Sequence, residues 1–221
     1  MTMTNNSQRT ADKLNAANPR VGNTNGHIIR WKEKGGQAGT SFEWDVYLFG
    51  AREDGKQSEN LSGLTAVNDF SSPDGLYFDQ RNGQTDGLLW IQTDDGAYTD
   101  VTNCMMLAAL PGHVGDGGKI KTREGQETIM GAKPTDANVR RFLVGPFDCE
   151  ITGVVVTPDG KTLFFNVQHP GEDKADFTTN TFTSHWPGNQ APASDALHHG
   201  HKRPRSATVV VTRTDGGTIG I

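Results

Sequence analysis

The sequence has few apolar residues and no long apolar run. Only 33% of its 221 residues are hydrophobic, and no stretch approaches the ~20 apolar residues that a membrane-spanning helix needs. We therefore predict no membrane span. Residues 1–13 also lack the apolar segment of a secretory signal peptide, so the chain as written is expected to be cytoplasmic.

The sequence also lacks an excess of basic residues. It has 21 lysines and arginines against 26 acids, which gives a formal net charge of −5. This balance predicts no binding to nucleic acid or to an anionic membrane surface. A mild acidic excess suits a protein that binds cations through carboxylates, but it is also common among soluble proteins, so composition does not decide the function.

Cysteine is scarce, and its spacing excludes two kinds of site. The two cysteines, Cys104 and Cys149, form no CxxC pair, so neither a zinc site of that type nor a disulfide framework is predicted. A single bridge between them stays open for an exported protein. Free, buried thiols are the favoured interpretation.

Helical periodicity is absent, whereas strand signals are frequent. Glycine (27 residues) and proline (10 residues) are plentiful, as in all-β proteins with many turns. The segment 41–49 alternates apolar and polar residues over most of its length, which is typical of a half-buried strand. The clearest hairpin joins 151–157 to 162–168 through a Pro-Asp-Gly-Lys turn.

Other segments complete an all-β pattern. Further strands are predicted at 26–31, 76–79, 88–93 and 207–213, whereas 103–110 could be a strand or a short buried helix. The polar tracts 111–138 and 171–206 are expected to be loops. Pro-Asp-Gly occurs at 73–75 and again at 158–160, and such short meanders favour propeller blades. A β-sandwich stays open on this pattern alone.

Several segments in one order resemble the C-terminal part of PhoX-family alkaline phosphatases. They are Gly26–Trp31, Phe70–Asp79, Leu89–Gly96, Phe142–Pro146, Cys149–Gly153, Val167–Glu172 and Arg203–Ala207. This resemblance implies that residues 1–221 form a partial β-propeller of two to three blades with long loops. Within it, residues 1–25 and 171–206 are expected to be irregular.

The same resemblance has implications for the start of the chain. Residues 4–7 resemble the end of an interior strand of the family, so further blades and an export signal are expected to precede them. The parent family is periplasmic or secreted. A blade edge left exposed in this way is expected to allow self-association.

The function that the resemblance implies is hydrolysis of phosphate monoesters. PhoX-like enzymes hold calcium and iron at the propeller axis, where the cations bind phosphate oxygens and offset developing charge. Activity of these 221 residues alone is expected to be impaired, because blades all round the axis supply the ligands. No catalytic side chain is assigned.

Oxygen ligands for calcium are expected at the axial ends of inner strands. Given the resemblance, Glu150 and Asp74 are the first candidates, because each precedes an apolar strand, and Asn68 and Asp69 are further candidates. His169 is a candidate for contact with the substrate. Two alternatives stay open: a non-catalytic calcium-binding propeller module, and a lactonase-like propeller.

Overall fold

A computed structural model describes residues 1–81, 87–94, 98, 101–188 and 203–220 of the chain. Twelve strands and one short 3₁₀ helix, Ala11–Lys13, make up the regular structure of these residues. The strands are β1 (Thr2–Met3), β2 (His27–Lys34), β3 (Ser41–Phe49), β4 (Pro73–Asp79), β5 (Leu88–Thr93), β6 (Met105–Ala109), β7 (Gly118–Lys121), β8 (Glu127–Met130), β9 (Val139–Val144), β10 (Glu150–Val156), β11 (Thr162–Gln168) and β12 (Ala207–Thr212). The predicted all-β fold is therefore confirmed.

The strands form three sheets. The first sheet has the order β1-β2-β3-β8-β7, the second β4-β5-β6-β9 and the third β10-β11-β12. The second and third sheets are antiparallel throughout, whereas β8 joins β3 in parallel through the pair Val46 and Met130. β4 packs against both β1 and β10, so the first strands of the three sheets lie side by side, as in consecutive propeller blades.

The second sheet lies between the other two and buries both of its faces. Ile91 and Leu107 point into a core shared with the first sheet. Trp90 and Met106, the neighbouring residues on the same strands, point into a core shared with the third sheet. All four are 0% exposed. Successive side chains of a strand point to opposite faces, so the continuous apolar runs of β5 and β6 are explained by burial on both sides.

A buried ion pair connects the first sheet to the loop that follows β6. Arg30 on β2 contacts Asp45 on β3 through two hydrogen bonds, Nε to Oδ1 at 3.1 Å and Nη2 to Oδ2 at 2.5 Å. Its guanidinium also donates to the carbonyl oxygens of Pro111 and His113 and contacts Asp116. These contacts hold residues 111–116 against the sheet.

Two predictions about the middle of the chain need correction or completion. The tract 111–138, expected to be a loop, contains the hairpin β7–β8, whose turn includes Gly125 at φ +86°. The ambiguous segment 103–110 contains a strand, β6, rather than a helix. β6 is defined by its pairing with β5 and β9, which local composition does not reveal, whereas β7 pairs with the adjacent β8.

The remaining segments are largely irregular where the structure describes them. Residues 1–25 contain only β1 and the 3₁₀ helix as regular elements. Residues 171–188 and 203–206 contain no strand, and 189–202 lie outside the described residues. Cys104 and Cys149 are free and buried, as favoured above. No helix in the described parts of the chain is long and apolar enough to cross a bilayer.

The third sheet has one face with exposed apolar side chains. Val155, Phe164 and Val210 are cross-strand neighbours on this face, and Val155 and Val210 are 52% and 56% exposed. β12 is also an outer strand of its sheet. Self-association through such an edge stays a prediction.

We expect Asp45→Asn to destabilise the fold by about 3 kcal/mol, because it leaves the half-buried Arg30 without its main counter-charge. Urea denaturation followed by tryptophan fluorescence measures this change. The matched control is Glu43→Gln, which disrupts the exposed Lys34–Glu43 pair on the same two strands and should have a far smaller effect. Equal effects of the two substitutions would contradict the structural role of the Arg30–Asp45 pair.

Candidate metal centre

The first strands of the second and third sheets each carry a bulge. In β4, Asp74 and Gly75 lie opposite Gln92 of β5. In β10, Gly153 and Val154 lie opposite Phe165 of β11. Bulges bend a strand and change the direction of its side chains. Asp74 lies within its bulge, whereas Glu150 precedes its bulge by three residues, so the two acids are not at equivalent strand positions.

Glycine occupies both bulges. A Cβ at Gly75 would lie 2.5 Å from Oε1 of the buried Gln92. Gly153 adopts φ +54°, and a Cβ there would lie 2.4 Å from Nδ2 of Asn166. A side chain at Gly75 would move the end of the Gln92 side chain, whereas one at Gly153 would also strain the backbone.

Three carboxylates share the edge of the molecule at which β4 and β10 begin. Glu150 is 8% exposed, and its pKa is raised above the ordinary value of 4.5, first by burial and then by the charges of Asp94 and Asp74. The neighbouring His169 acts in the opposite direction. Like charges held together near a buried core disfavour ionisation of each group. Such a perturbed acid marks a candidate functional site.

Asp94 was not among the residues chosen from the sequence. It directly follows β5, which runs antiparallel to β4, and its backbone N–H donates to the carbonyl oxygen of Ser72 at 3.1 Å. The end of β5 therefore lies beside the start of β4. Predicting that β4 and β5 pair would have identified Asp94. In an antiparallel pair, the end of one strand lies beside the start of the other, so acids at these two positions meet at one edge.

His169 lies at the same edge, beside Glu150. It follows β11 as Asp94 follows β5, and its Nε2 is 3.5 Å from Oε2 of Glu150. On its other side, Nδ1 is 3.2 Å from Oε1 of Glu172. Gln168, which pairs with Glu150 across the strands, donates from Nε2 to Oε2 of Glu150 at 2.6 Å. That His169 contacts a substrate stays a prediction.

Asn68 has a structural role in a turn. Its Oδ1 accepts a hydrogen bond from the backbone N–H of Thr65 at 2.7 Å, and its Nδ2 is 3.4 Å from Oδ1 of Asp136. The residue is fully buried. Its amide is thus already in use within the fold.

Asp69 is likewise occupied by neighbouring groups. Its Oδ1 pairs with the Arg141 guanidinium, and its Oδ2 accepts hydrogen bonds from the Tyr98 hydroxyl and, at 3.2 Å, from the backbone N–H of Glu53. The side chain is 2% exposed. Both of its oxygens are compensated by protein donors, so metal binding by Asp69 stays a prediction without support from these contacts.

The donor set at the shared edge suits a hard cation. Glu150, Asp74 and Asp94 offer carboxylate oxygens, which calcium prefers. Cys149 offers no thiolate, because burial raises its pKa to about 12. In the parts of the chain that the structure describes, no three His, Cys, Asp or Glu side chains converge closely enough to hold an ion on their own. The residues thus fit part of a calcium shell.

Comparison with known proteins agrees with this fold. A family model described as "Alkaline phosphatase PhoX" matches residues 1–171. The chain is 33% identical to PhoX of Pseudomonas fluorescens, solved in complex with vanadate, a transition state analogue. The TM-score is 0.71, and the match covers 99% of this chain and 32% of that one. No curated protein matches the chain.

These matches confirm two predictions made from the sequence. The chain spans about a third of the solved relative's length, and its three sheets form part of a propeller rather than a sandwich. The family model covers well over half of the chain. The chain therefore belongs to the alkaline phosphatase PhoX family.

Proposed function

We propose that this chain supplies part of the metal centre of a phosphatase that hydrolyses phosphate monoesters. The observation that carries the proposal is the shared edge, at which Asp94 ends β5 beside the start of β4, and Glu150 begins the neighbouring β10. Membership of the PhoX family supports the reaction class. The vanadate bound to the solved relative is named as a transition state analogue, which supports phosphoryl chemistry for the whole protein.

In this proposal, Glu150, Asp74 and Asp94 hold calcium, and iron is the second cofactor that the resemblance implies. When bound, these cations would bind the phosphate oxygens and offset the negative charge that develops as the ester bond breaks. The chain's own contribution is to hold three carboxylates at one edge before the metal arrives. Asn68 and Asp69 are not needed for this role, because protein donors already satisfy them.

Two alternatives share the same carboxylates. A calcium-binding module without catalysis would use them as well, and the partial ligand set of the described residues favours it as the second candidate. A lactonase-like propeller also needs axial calcium, but the family match supports the phosphatase. An assay of phosphate monoester turnover separates the phosphatase from the non-catalytic calcium-binding module.

We expect Glu150→Gln to stabilise the metal-free chain at neutral pH. Since the pKa of Glu150 is raised in the fold, its ionised form opposes folding at every pH above that pKa. The penalty disappears below about pH 4.5, the ordinary value, because the group is then protonated in both states. Urea denaturation in a chelator at a series of pH values should therefore show a gain at pH 7 that vanishes in acid.

Calcium should reverse the order of stability, so that the unsubstituted chain becomes more stable than Glu150→Gln. At a calcium concentration about a hundred times its Kd, binding should stabilise the unsubstituted chain by about 2.7 kcal/mol, and Glu150→Gln should gain much less. The matched control is Asp159→Asn, in the same Pro-Asp-Gly sequence as Asp74. The Asp159 carboxylate accepts hydrogen bonds from Thr157 and Lys161 within the hairpin turn, so this substitution should leave the calcium effect unchanged. A calcium response that Glu150→Gln preserves would exclude Glu150 as a ligand.

We expect the 221-residue chain alone to be a poor catalyst, because the described residues supply only part of a ligand shell. Turnover of p-nitrophenyl phosphate at alkaline pH, with calcium and iron supplied, should be at least about a hundredfold below that of Pseudomonas fluorescens PhoX. A loss of this size follows from removing even one preorganised group that stabilises the transition state.

The relative serves as the positive control in the same buffer. Addition of a calcium chelator should abolish its turnover and should not measurably change that of the isolated chain. Strong, chelator-sensitive turnover by the isolated chain as a monomer would contradict a partial ligand shell. Calcium binding without any turnover, even after the rest of the family's propeller is joined to the chain, would favour the non-catalytic module.

A further inference from the structure

One oxygen of Glu150 is held by protein groups, and the other is free. Gln168 donates to Oε2 at 2.6 Å, and Nε2 of His169 lies 3.5 Å from the same atom. Oε1 has no hydrogen-bond partner among the residues that the structure describes. The carboxylate is therefore fixed from one side only.

His169 is itself fixed by its surroundings. Its backbone N–H donates to Oγ of Ser206 at 3.0 Å. Its Nδ1 lies 3.2 Å from Oε1 of Glu172, an ion-pair distance at which no hydrogen bond forms. The backbone at His169 has φ +37°, a left-handed conformation that few residues with a side chain adopt. The N–H of Gly171 donates to the carbonyl oxygens of Phe147 and Asp148. The turn that carries His169 is thus bonded to the segment that leads into Glu150.

We propose that His169 is a positioning residue for Glu150, and that Glu172, at ion-pair distance from Nδ1 of His169, supports it electrostatically. Together with Gln168 they fix Oε2, so that Oε1 is the oxygen presented to the cation. This inference rests on the proposed function, because it assumes that Glu150 is a ligand. It also gives His169 a role other than contact with the substrate, which was the prediction from its sequence context.

Burial indicates whether His169 or Glu172 has the larger effect on the position of Glu150. The side chains of Glu150 and His169 are 11% and 31% exposed, whereas that of Glu172 is 62% exposed. Water screens a contact with an exposed carboxylate. Loss of His169 should therefore be more severe than loss of Glu172.

Calcium affinity, measured by titration calorimetry at one fixed pH, tests the proposal. His169→Ala should weaken calcium binding by about 10- to 100-fold, the range found when a group that orients a metal ligand is removed. His169→Gln should recover part of this loss, since an amide nitrogen can take the place of Nε2 and donate to Oε2. Both replacements carry a Cβ at φ +37°, so strain in the backbone is matched between them. Glu172→Ala should cause a smaller loss.

The control is Asp173→Ala, which changes the net charge by the same amount as Glu172→Ala in the same exposed turn. The contact described for Asp173 is made by its carbonyl oxygen, which accepts a hydrogen bond from Thr183 at 3.2 Å. Its removal should leave calcium affinity unchanged. Equal losses for Glu172→Ala and Asp173→Ala would reduce the effect to net charge and overturn the role of Glu172. Equal losses for His169→Ala and His169→Gln would overturn the role of His169.

A metal-free measurement separates this inference from the proposed function. The side-chain amide of Gln168 reports the position of Oε2, because it donates to that atom. In a chelator, its NMR resonances should shift in His169→Ala, shift less in Glu172→Ala and return towards their original positions in His169→Gln. Unshifted resonances would overturn the positioning role even if calcium binds. If the resonances shift but the chain binds no calcium, the positioning contact is supported. The proposed function would then fail, and so would the ligand role of Glu150.

Discussion

The first strands of the three sheets lie side by side, and β4 contacts β1 and β10 at the same time. This packing is possible because the second sheet is apolar on both faces, with Ile91 directed to one core and Trp90 to the other. The starts of β4 and β10 thereby reach one edge of the molecule. The pKa of Glu150 depends on this arrangement, since the charges that raise it belong to Asp74 and Asp94 of the neighbouring sheet.

The buried acids that the structure describes have two different kinds of surroundings. Asp45 and Asp69 are paired with Arg30 and Arg141 and take further hydrogen bonds from the backbone. Among its described contacts, Glu150 has neither lysine nor arginine, and two acids act on it instead. Pairing with arginine serves stability, because an uncompensated buried charge is costly. The absence of such pairing at the shared edge is a local conflict of the kind that folds retain at functional sites.

Much of the fold follows from local sequence patterns, whereas the acids that meet at the shared edge depend on how the strands pair. The alternation over 41–49 and the turn at 158–161 identify β3 and the hairpin β10–β11 almost to the residue. The hairpin β7–β8 was missed because its residues are mainly polar and carry no strand pattern. Asp94 was missed for a different reason. Its chemistry becomes visible only when the end of β5 is set beside the start of β4.

The two Pro-Asp-Gly sequences show that the same motif can have different structures and different surroundings. At 158–160 the motif forms the hairpin turn, and the Asp159 carboxylate accepts hydrogen bonds from Thr157 and Lys161. At 73–75 the same letters begin a strand, and the described hydrogen bond of Asp74 is made by its carbonyl oxygen, from Oγ1 of Thr2. The carboxylate of Asp74 is left exposed. One acid completes a turn and the other accepts no described hydrogen bond on its carboxylate, because position relative to the neighbouring strands, rather than the tripeptide, determines what surrounds the side chain.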